Sequence, residues 1–230
     1  AVTHVHLDHA GGAGYLAREC ENAEVVVHER GARHLADPTR LVEGTKRAVG
    51  DRWRYYADPL PIDEERLTVV TDGDAVDLGD HQLRVHYAPG HAPHQVVFAD
   101  PANRAVFTAD AAGIYVSRRD EVEPTSPPVN FDLEQVLADV EMLQDIAPET
   151  LLYGHFGPAP RGDRLAAYAE TIESWVESIR DARERLDDDE AVLDHFAERA
   201  TTADIWGEEQ AEIETRMNVQ GVLMYLDRED

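Results

Sequence analysis

Three histidines and one aspartate stand within the short run His4-Val5-His6-Leu7-Asp8-His9. Side chains two positions apart on a strand point to the same side, so His4 and His6 can reach one metal ion. A turn after them lets Asp8 and His9 face a second ion beside the first. Neutral imidazoles and a carboxylate are the ligands expected for zinc in an open catalytic site. The pattern therefore predicts a metal centre at the start of this sequence.

Three further candidate ligands, His91, Asp110 and His155, each come at or just after the end of a predicted strand. Ligands that emerge from one edge of a sheet suit a pair of metal ions, because the sheet fixes their positions while loops shape the pocket. His94 follows closely after His91 and is a candidate catalytic residue, as a proton donor to a leaving group or in orienting the substrate. The alternative for His94 is a loop histidine that only supports the site.

The elements that must position these residues are short strands alternating with helices up to about residue 160. Apolar alternation and β-branched runs bounded by turn sequences predict strands over 1–6, 24–28, 67–71, 75–78, 82–87, 95–99, 105–108 and 150–153. A helix is predicted to begin after a cap at Asp132, and another, with one apolar face, after Asp163. The predicted division is a catalytic domain over 1–160 and a carboxy-terminal helical segment over 161–230.

The composition indicates a soluble and strongly acidic protein. The net charge is −26 over 230 residues, and Lys46 is the only lysine. This pattern resembles proteins of halophiles, because self-repulsion at such a charge is tolerable mainly where salt screens it. Neither nucleic acid nor membrane is an expected partner, since polyanions are repelled and no apolar run approaches the ~20 residues that span a bilayer. Cys20 is the only cysteine, which excludes an intramolecular disulfide and fits a reducing, cytoplasmic setting.

Four motifs together resemble the metallo-β-lactamase superfamily and, within it, the glyoxalase II-like (hydroxyacylglutathione hydrolase-like) enzymes. They are HVHLDHAGG at 4–12, PGHAPHQVVF at 89–98, FTADA at 107–111 and YGHFG at 153–157. The resemblance implies an α/β (α+β) fold, a four-layer αββα sandwich. Here it would lack the strands that precede the first motif and would carry a carboxy-terminal helical appendage. Without those strands one sheet would present an open edge.

By the same resemblance, seven side chains form the metal centre as two sets of three with one bridging carboxylate: His4, His6 and His91; Asp8, His9 and His155; and Asp110. Two zinc ions are expected, with iron or manganese as alternatives. Two metals about 3.5–4 Å apart turn a shared water into a bridging hydroxide, so no serine or cysteine nucleophile is required. Asp8 and Asp110 are the expected catalytic carboxylates, and Asp110 helps to orient that hydroxide.

The predicted function is zinc-dependent hydrolysis of a small ester, thioester or lactone, in a chain whose apolar helical face is also compatible with a homodimer. A mononuclear iron persulfide dioxygenase is the first alternative; it would use His91, Asp110 and either His4 or His6. His6 argues against the flavodiiron branch, which carries glutamate there. A metal-dependent phosphodiesterase or nuclease is disfavoured by the acidic composition. A scaffold that kept the ligands without turnover is the last alternative, and no evident basic cluster indicates glutathione as the substrate.

Overall fold

The computed structural model describes residues 1–186 and 188–229, without the side chains at 51 and 52. Its helices are α1 (Leu7–Ala10), α2 (Ala13–Glu19), α3 (Glu29–Ala36), α4 (Thr39–Val49), α5 (Leu133–Ile146), α6 (Arg164–Arg185), α7 (Asp189–Ala197), α8 (Ala203–Trp206) and α9 (Glu208–Glu229). Its strands are β1 (Val25–His28), β2 (Leu67–Val70), β3 (Ala75–Asp77), β4 (Gln82–Tyr87), β5 (Val96–Asp100), β6 (Ala105–Ala109), β7 (Ile114–Val116), β8 (Glu121–Glu123), β9 (Thr150–Tyr153) and β10 (Pro158–Pro160). The mixed α/β class expected from the sequence is confirmed.

The central element is a mixed sheet of six strands in the order β10-β9-β6-β5-β4-β3. Neighbouring strands are antiparallel except β6 and β9, which pair in parallel. A parallel pair needs a crossover connection, and α5 lies in the connection between these two strands. A second, two-stranded sheet pairs β1 with β2 in parallel. Both β6 and β9 therefore deliver their carboxyl ends to the same edge of the large sheet.

Side-chain alternation along the strands divides the interior into layers. On β5, Val97 and Ala99 belong to the core formed with α5 and α6, whereas Val96 and Phe98 point to the opposite face. That opposite face packs with side chains of β2 and β4 and with Val26 of β1. The two sheets thus pack on each other, because each buries the apolar half of its alternating pattern.

The outer layers are helical on both sides. Val25 and Val27 of β1 turn away from the large sheet and form a core with residues of α2 and α3. On the other side, Val140 and Leu143 of α5 and Ile172 of α6 cover the large sheet. The order is helix, sheet, sheet, helix, which is the four-layer αββα arrangement expected.

The segment before α1 differs from the sequence prediction. Residues 1–6, all of which the structure describes, run extended without forming a regular strand. The segment bridges the two sheets by single bonds: the Val2 amide donates to the Val26 carbonyl, and the Val96 amide donates to the Thr3 carbonyl. One bond to each sheet does not make a ladder. Beside Ala1, an apolar groove of about 620 Å³ opens between the sheets.

Two short strand pairings were missed by the sequence analysis. The hairpin of β7 and β8 has three residues on each side, too few to show an alternating pattern. Strand β10 contains Pro158 and Pro160, which argue against a strand in sequence. It lies at the edge of the sheet, where missing amide donors are tolerated.

The helix that precedes β9 has the predicted cap, whereas the next helix does not. The Asp132 carboxylate accepts the Gln135 amide hydrogen at 3.0 Å and so caps α5. Asp163 stands at the start of α6, but its side chain makes no capping bond among the described residues. Its backbone is close to helical there, with φ −99° and ψ 4°. The prediction of a side-chain cap at Asp163 was wrong.

The carboxy-terminal helices share one apolar core with the large sheet. Tyr168 and Ile172 of α6 and Val219 and Val222 of α9 lie in the same buried cluster as Leu151 of β9. The division of the chain at residue 160 stays a prediction, because this core extends across it. Among the described helices, none combines the length and the apolar character needed to cross a membrane.

Candidate metal centre

The first histidine pair is held by a buried valine. Val5 is fully buried with residues of α2 and α3, and this anchors the backbone between His4 and His6. His6 then precedes α1, whose single turn carries Asp8 and His9. The change from extended backbone to helix gives the two halves of the motif different directions. His4 is fully buried, whereas Asp8 is exposed.

Asp110 is aimed into the centre by an unusual backbone geometry at the end of β6. The pairing of β6 with β9 shifts register between Phe107 and Ala109. Ala109 then adopts a left-handed φ of 46°, which a residue with a Cβ rarely occupies. Asp110 follows with only 3% of its surface exposed. Strained backbone of this kind is typical of functional sites, where it re-aims a side chain.

His155 comes from the end of β9, beside β6. A Cβ at Gly154 would lie 2.8 Å from Cε1 of His9, so only glycine lets these two segments approach. Phe156 follows with a left-handed φ of 63°, the same feature seen before Asp110. Both neighbouring strands thus end in strained backbone where a metal-ligating type of side chain leaves the sheet.

The seven predicted ligands converge around the Asp110 carboxylate. Its Oδ2 lies 3.0 Å from Nε2 of His9, 3.4 Å from Nε2 of His91 and 3.5 Å from Nε2 of His4. Its Oδ1 lies 3.5 Å from Nε2 of His155. The potential ligand atoms fall into three overlapping groups, each within 4.8 Å: His4, His6 and His91; His4, His9 and Asp110; and Asp8, His9 and His155. We call the first group the buried cluster and the third the open cluster.

Several of these atoms are buried without a partner. Nε2 of His4, Nε2 of His9 and Oδ1 of Asp110 are inaccessible to solvent and make no hydrogen bond within the described chain. A buried polar atom without a partner is costly, and native proteins rarely keep one without a reason. Nitrogen and carboxylate donors converging on one space are the ligand set of a divalent cation. The donor set therefore fits such a cation.

The buried cluster already has the protonation state that a metal needs. Burial lowers the pKa of His91 to about 3, despite the opposing effect of the Asp110 charge. Burial and the neighbouring imidazoles lower the pKa of His4 well below its usual value, and burial lowers that of His6. These three rings are therefore neutral near pH 7 and present free lone pairs.

The open cluster has the opposite charge balance. Burial opposes ionisation, but close contact with the Asp110 and Asp8 carboxylates raises the pKa of His9 to about 10. The pKa of Asp8 is lowered against the effect of its burial, by contact with His9 and the charges of nearby histidines. The pKa of Asp110 is lowered likewise, chiefly by His91 and His9 against its burial. Two carboxylates thus share a proton on His9, which a cation would have to displace.

His94 lies beside the buried cluster and outside the three groups of candidate ligands. Its Nδ1 accepts the Val5 amide at 3.4 Å, and its ring centroid is 5.5 Å from that of His6. Burial lowers the pKa of His94, so the ring is neutral with its proton on Nε2. The bond supports the backbone between His4 and His6. The catalytic role of His94 stays a prediction.

Asp139 was missed by the sequence analysis although a signal was present. It lies on the apolar face of α5, three residues after Val136, where a carboxylate needs a partner. Its Oδ2 accepts the Gly90 amide at 2.8 Å, and the Asp132 amide donates to the Gly90 carbonyl at 3.0 Å. A Cβ at Gly90 would lie 2.3 Å from the Val136 amide nitrogen. The start of α5 therefore clamps the residue that precedes His91.

Replacing Asp139 with asparagine will stabilise the metal-free protein at neutral pH. Burial raises the pKa of Asp139 to about 7, so the unfolded chain ionises this carboxyl from about pH 4 upward while the folded protein resists. Folding stability is therefore lost as the pH rises from 4 to 7. Asparagine removes this cost and keeps an acceptor for Gly90. In urea unfolding, the gain should be near zero at pH 4 and at most about 4 kcal/mol at pH 8.

The control for this prediction is Asp145→Asn, an exposed position on the same helix. It should change the free energy of unfolding little at either pH. A constant effect of Asp139→Asn between pH 4 and 8 would contradict the assignment of a raised pKa to this carboxyl.

Aromatic side chains lie next to the open cluster. The rings of Phe156 and Trp206 have centroids 5.1 Å apart, and Phe156 follows His155 in sequence. Trp206 also lines a cavity of about 410 Å³ together with Arg54 and Tyr55. The sequence favoured packing roles for Tyr55 and Trp206. Tyr55 is instead 73% exposed, and Trp206 connects the carboxy-terminal helices to the loop that carries His155.

The comparison with protein families agrees with this fold and site. A family model described as "Metallo-beta-lactamase superfamily" matches residues 1–155. The chain therefore belongs to the metallo-β-lactamase superfamily, whose members are generally hydrolytic enzymes that bind divalent metals.

Individual relatives are more distant. The metallo-beta-lactamase fold-containing protein ST1585 of Sulfurisphaera tokodaii is 29% identical over 161 residues, which are 68% of this chain and 59% of that protein. Its crystal structure aligns with 99% of this chain and 78% of that one, with a TM-score of 0.70 and 23% identity. That likeness shows the shared fold.

Two relatives carry names that state an activity. The bovine (Bos taurus) acyl-coenzyme A thioesterase MBLAC2 is 32% identical over 116 residues, covering 47% of this chain and 39% of that protein. The hydroxyacylglutathione hydrolase of Maricaulis maris is 31% identical over 109 residues, covering 47% of this chain and 31% of that protein. The chain spans well under two thirds of each of these proteins.

Proposed function

We propose that the chain is a metal-dependent hydrolase that acts on a small ester, thioester or lactone with two divalent cations. The observation that carries the proposal is the position of Asp110. Its two oxygens face different ligand clusters, with Oδ2 near His4 and His91 and Oδ1 near His155. A carboxylate in that position can contact two cations, whereas a single cation would leave the open cluster without a function.

The proposed ligands are the residues of the two clusters, with Asp110 shared between them. When bound, a pair of divalent cations supplies Lewis acidity for the scissile carbonyl and lowers the pKa of a water molecule. The chain supplies the neutral imidazoles of the buried cluster and the ionised carboxylates that balance the cationic charge. The Asp8 side chain is 49% exposed, so substrate and water have access from the open cluster.

Among acyl substrates, thioesters receive the most support. The thioesterase and the hydroxyacylglutathione hydrolase named above both act, by their names, on thioesters. The strongly acidic composition argues against a nuclease, because nucleic acid would be repelled. A persulfide dioxygenase would need one iron and would leave the open cluster idle. Zinc is the metal we expect.

The test combines metal analysis with a substrate panel. Purified protein is loaded with zinc, manganese or iron, and its metal content is compared with turnover on acyl-coenzyme A, acyl-glutathione, aryl ester and lactone substrates. The proposal expects two zinc ions per chain and thioester hydrolysis that a chelator abolishes. One iron per chain with oxygen uptake on a persulfide would support the dioxygenase. Full metal loading without turnover on any substrate would contradict an acyl hydrolase.

We also propose that the acidic surface is an adaptation to high salt. With a net charge of −26 and one lysine, self-repulsion should destabilise the fold at low ionic strength. Raising KCl from 0.1 to 2 M should raise the melting temperature by about 10 °C, since a gain of 1 kcal/mol moves it by roughly 2–4 °C in a chain of this size. Sucrose at equal osmolality is the control, and an unchanged or lower melting temperature in KCl would contradict the proposal.

A further inference from the structure

The two ring nitrogens of His91 have different surroundings. Nε2 points into the buried cluster, 3.2 Å from Nδ1 of His6 and 3.4 Å from the Asp110 carboxylate. Nδ1 points the other way and lies 3.5 Å from Oγ1 of Thr125, a buried side chain. A ring that gives its Nε2 lone pair to a cation carries its proton on Nδ1. The Thr125 hydroxyl is then the acceptor that fixes the tautomer and the plane of the ring.

Thr125 lies in the loop between β8 and α5, and this loop is bound by the carboxy-terminal helices through Ser126. The Ser126 amide donates to Oδ1 of Asn218 at 2.6 Å, and its hydroxyl donates to the Asn218 carbonyl at 2.9 Å. Trp175 of α6 donates its indole N–H to the same hydroxyl at 3.1 Å. The Ser126 side chain and amide are therefore both bonded to these helices.

The position of Asn218 on α9 is itself fixed. Its Nδ2 donates to the Glu214 carbonyl one turn earlier at 3.0 Å, which leaves Oδ1 to accept from Ser126. Close packing reinforces the contact, because a Cβ at Gly221 would lie 1.9 Å from the Ser126 carbonyl oxygen. The loop thus lies directly on the backbone of α9. A displacement of α9 would move the residue that faces Nδ1 of His91.

We propose that the carboxy-terminal helices position a metal ligand, with Asn218 and Thr125 as positioning residues for His91. Asn218 holds Ser126, Ser126 places Thr125, and Thr125 orients the imidazole toward the cation of the buried cluster. The inference rests on the proposed function only in that this cluster binds a cation. It assigns the helical segment a role in metal affinity that is separate from any role in substrate binding.

The test measures the two cation affinities separately in variants that keep or remove each hydrogen-bonding atom. Thr125→Val removes the hydroxyl at similar volume, and Thr125→Ser restores it. Asn218→Leu removes the acceptor for Ser126, and Asn218→Asp restores it. Zinc affinities are obtained by chelator competition, with His155→Ala and His6→Ala used to assign each affinity to its cluster. Thr171→Val, which removes an exposed hydroxyl bonded within α6, is the matched control.

The inference predicts that Thr125→Val weakens zinc binding at the buried cluster by about 10–100-fold, the usual effect of losing a partner of a metal-ligating histidine. The open cluster should change much less, and Thr125→Ser should restore the affinity. Asn218→Leu should act in the same direction, with Asn218→Asp closer to the wild type. A purely structural role would instead lower the melting temperature of the metal-free protein and weaken both affinities equally.

The outcomes separate this inference from the proposed function. If wild-type protein binds no zinc at the buried cluster, the proposed function fails. If it binds zinc there and Thr125→Val binds equally well, or loses both affinities in proportion to a lower melting temperature, the positioning role is overturned and the proposed function stands.

Discussion

Asp110→Asn will remove most of the metal and nearly all of the turnover. The Asp110 carboxylate lies within 3.0–3.5 Å of the Nε2 atoms of His4, His9, His91 and His155. Asparagine has nearly the same shape but no negative charge, and its amide would bring N–H donors into a space that requires lone pairs. The two cations would then lose their common ligand. We expect both affinities to fall and the turnover number to drop by about 1000-fold or more.

This prediction is checked by metal analysis and steady-state kinetics on the same zinc-loaded sample. Asp80→Asn is the control, since its side chain is 86% exposed on a turn outside the centre and pairs with His81. Circular dichroism establishes that both variants are folded. The prediction is wrong if folded Asp110→Asn retains two zinc ions per chain and turnover within about tenfold of the wild type.

The second large effect is a difference in pH dependence between the two clusters. In the metal-free protein, contact with Asp110 and Asp8 raises the pKa of His9 to about 10, against the effect of burial. A cation entering the open cluster must displace that proton, so its affinity should rise about tenfold per pH unit until about pH 10. The histidines of the buried cluster have lowered pKa values and are already neutral above about pH 5. Its affinity should change little over the same range.

Calorimetry at pH 6, 7 and 8 in buffers with different ionisation enthalpies measures both quantities. We expect about one proton to be released with the cation of the open cluster and close to none with the other. Between pH 6 and 8 the two affinities should diverge by roughly 100-fold. His81→Asn removes a histidine whose pKa is raised by Asp80 outside the centre, so it should leave both slopes unchanged. Equal proton release at the two clusters would show that the charge balance described here is wrong.

The sequence predicted the elements of the fold because its local signals agree with the tertiary structure. The strands carry β-branched runs or clear alternation, and the predicted helix with its cap at Asp132 is present as α5. The extended segment over 1–6 could not be distinguished from a strand, because the difference lies in which neighbours accept its hydrogen bonds. Strand β10 was invisible since its prolines are acceptable only at the edge of a sheet that the sequence does not reveal.

The metal-ligating types of residue were predictable, whereas the residues that hold them were not. Histidine and aspartate carry their chemistry in the side chain, and their spacing at positions 4–9 is itself a signal. Thr125 and Asn218 are common residue types without a local pattern, and 93 positions separate them. Only the folded chain brings the Asn218 carboxamide to the loop behind His91. Asp139 was accessible to sequence reasoning, because a carboxylate on an apolar helix face requires a partner.

Strained backbone explains why the centre is built at this edge of the sheet. Ala109 and Phe156 adopt left-handed φ angles on either side of the pair β6 and β9, and each adjoins a ligand. Left-handed backbone at such residues costs of order 1–3 kcal/mol each, which the surrounding core must offset. Sequence alone gives no warning of it, since neither residue type prefers that conformation.

The most direct test is a crystal of zinc-loaded protein measured at the zinc absorption edge. The account predicts two anomalous peaks about 3.5–4 Å apart. One should be bound by His4, His6 and His91, the other by Asp8, His9 and His155, with Asp110 contacting both. A fully loaded crystal with no peak at these side chains, or with one peak that leaves His155 and Asp8 without a ligand role, would contradict it.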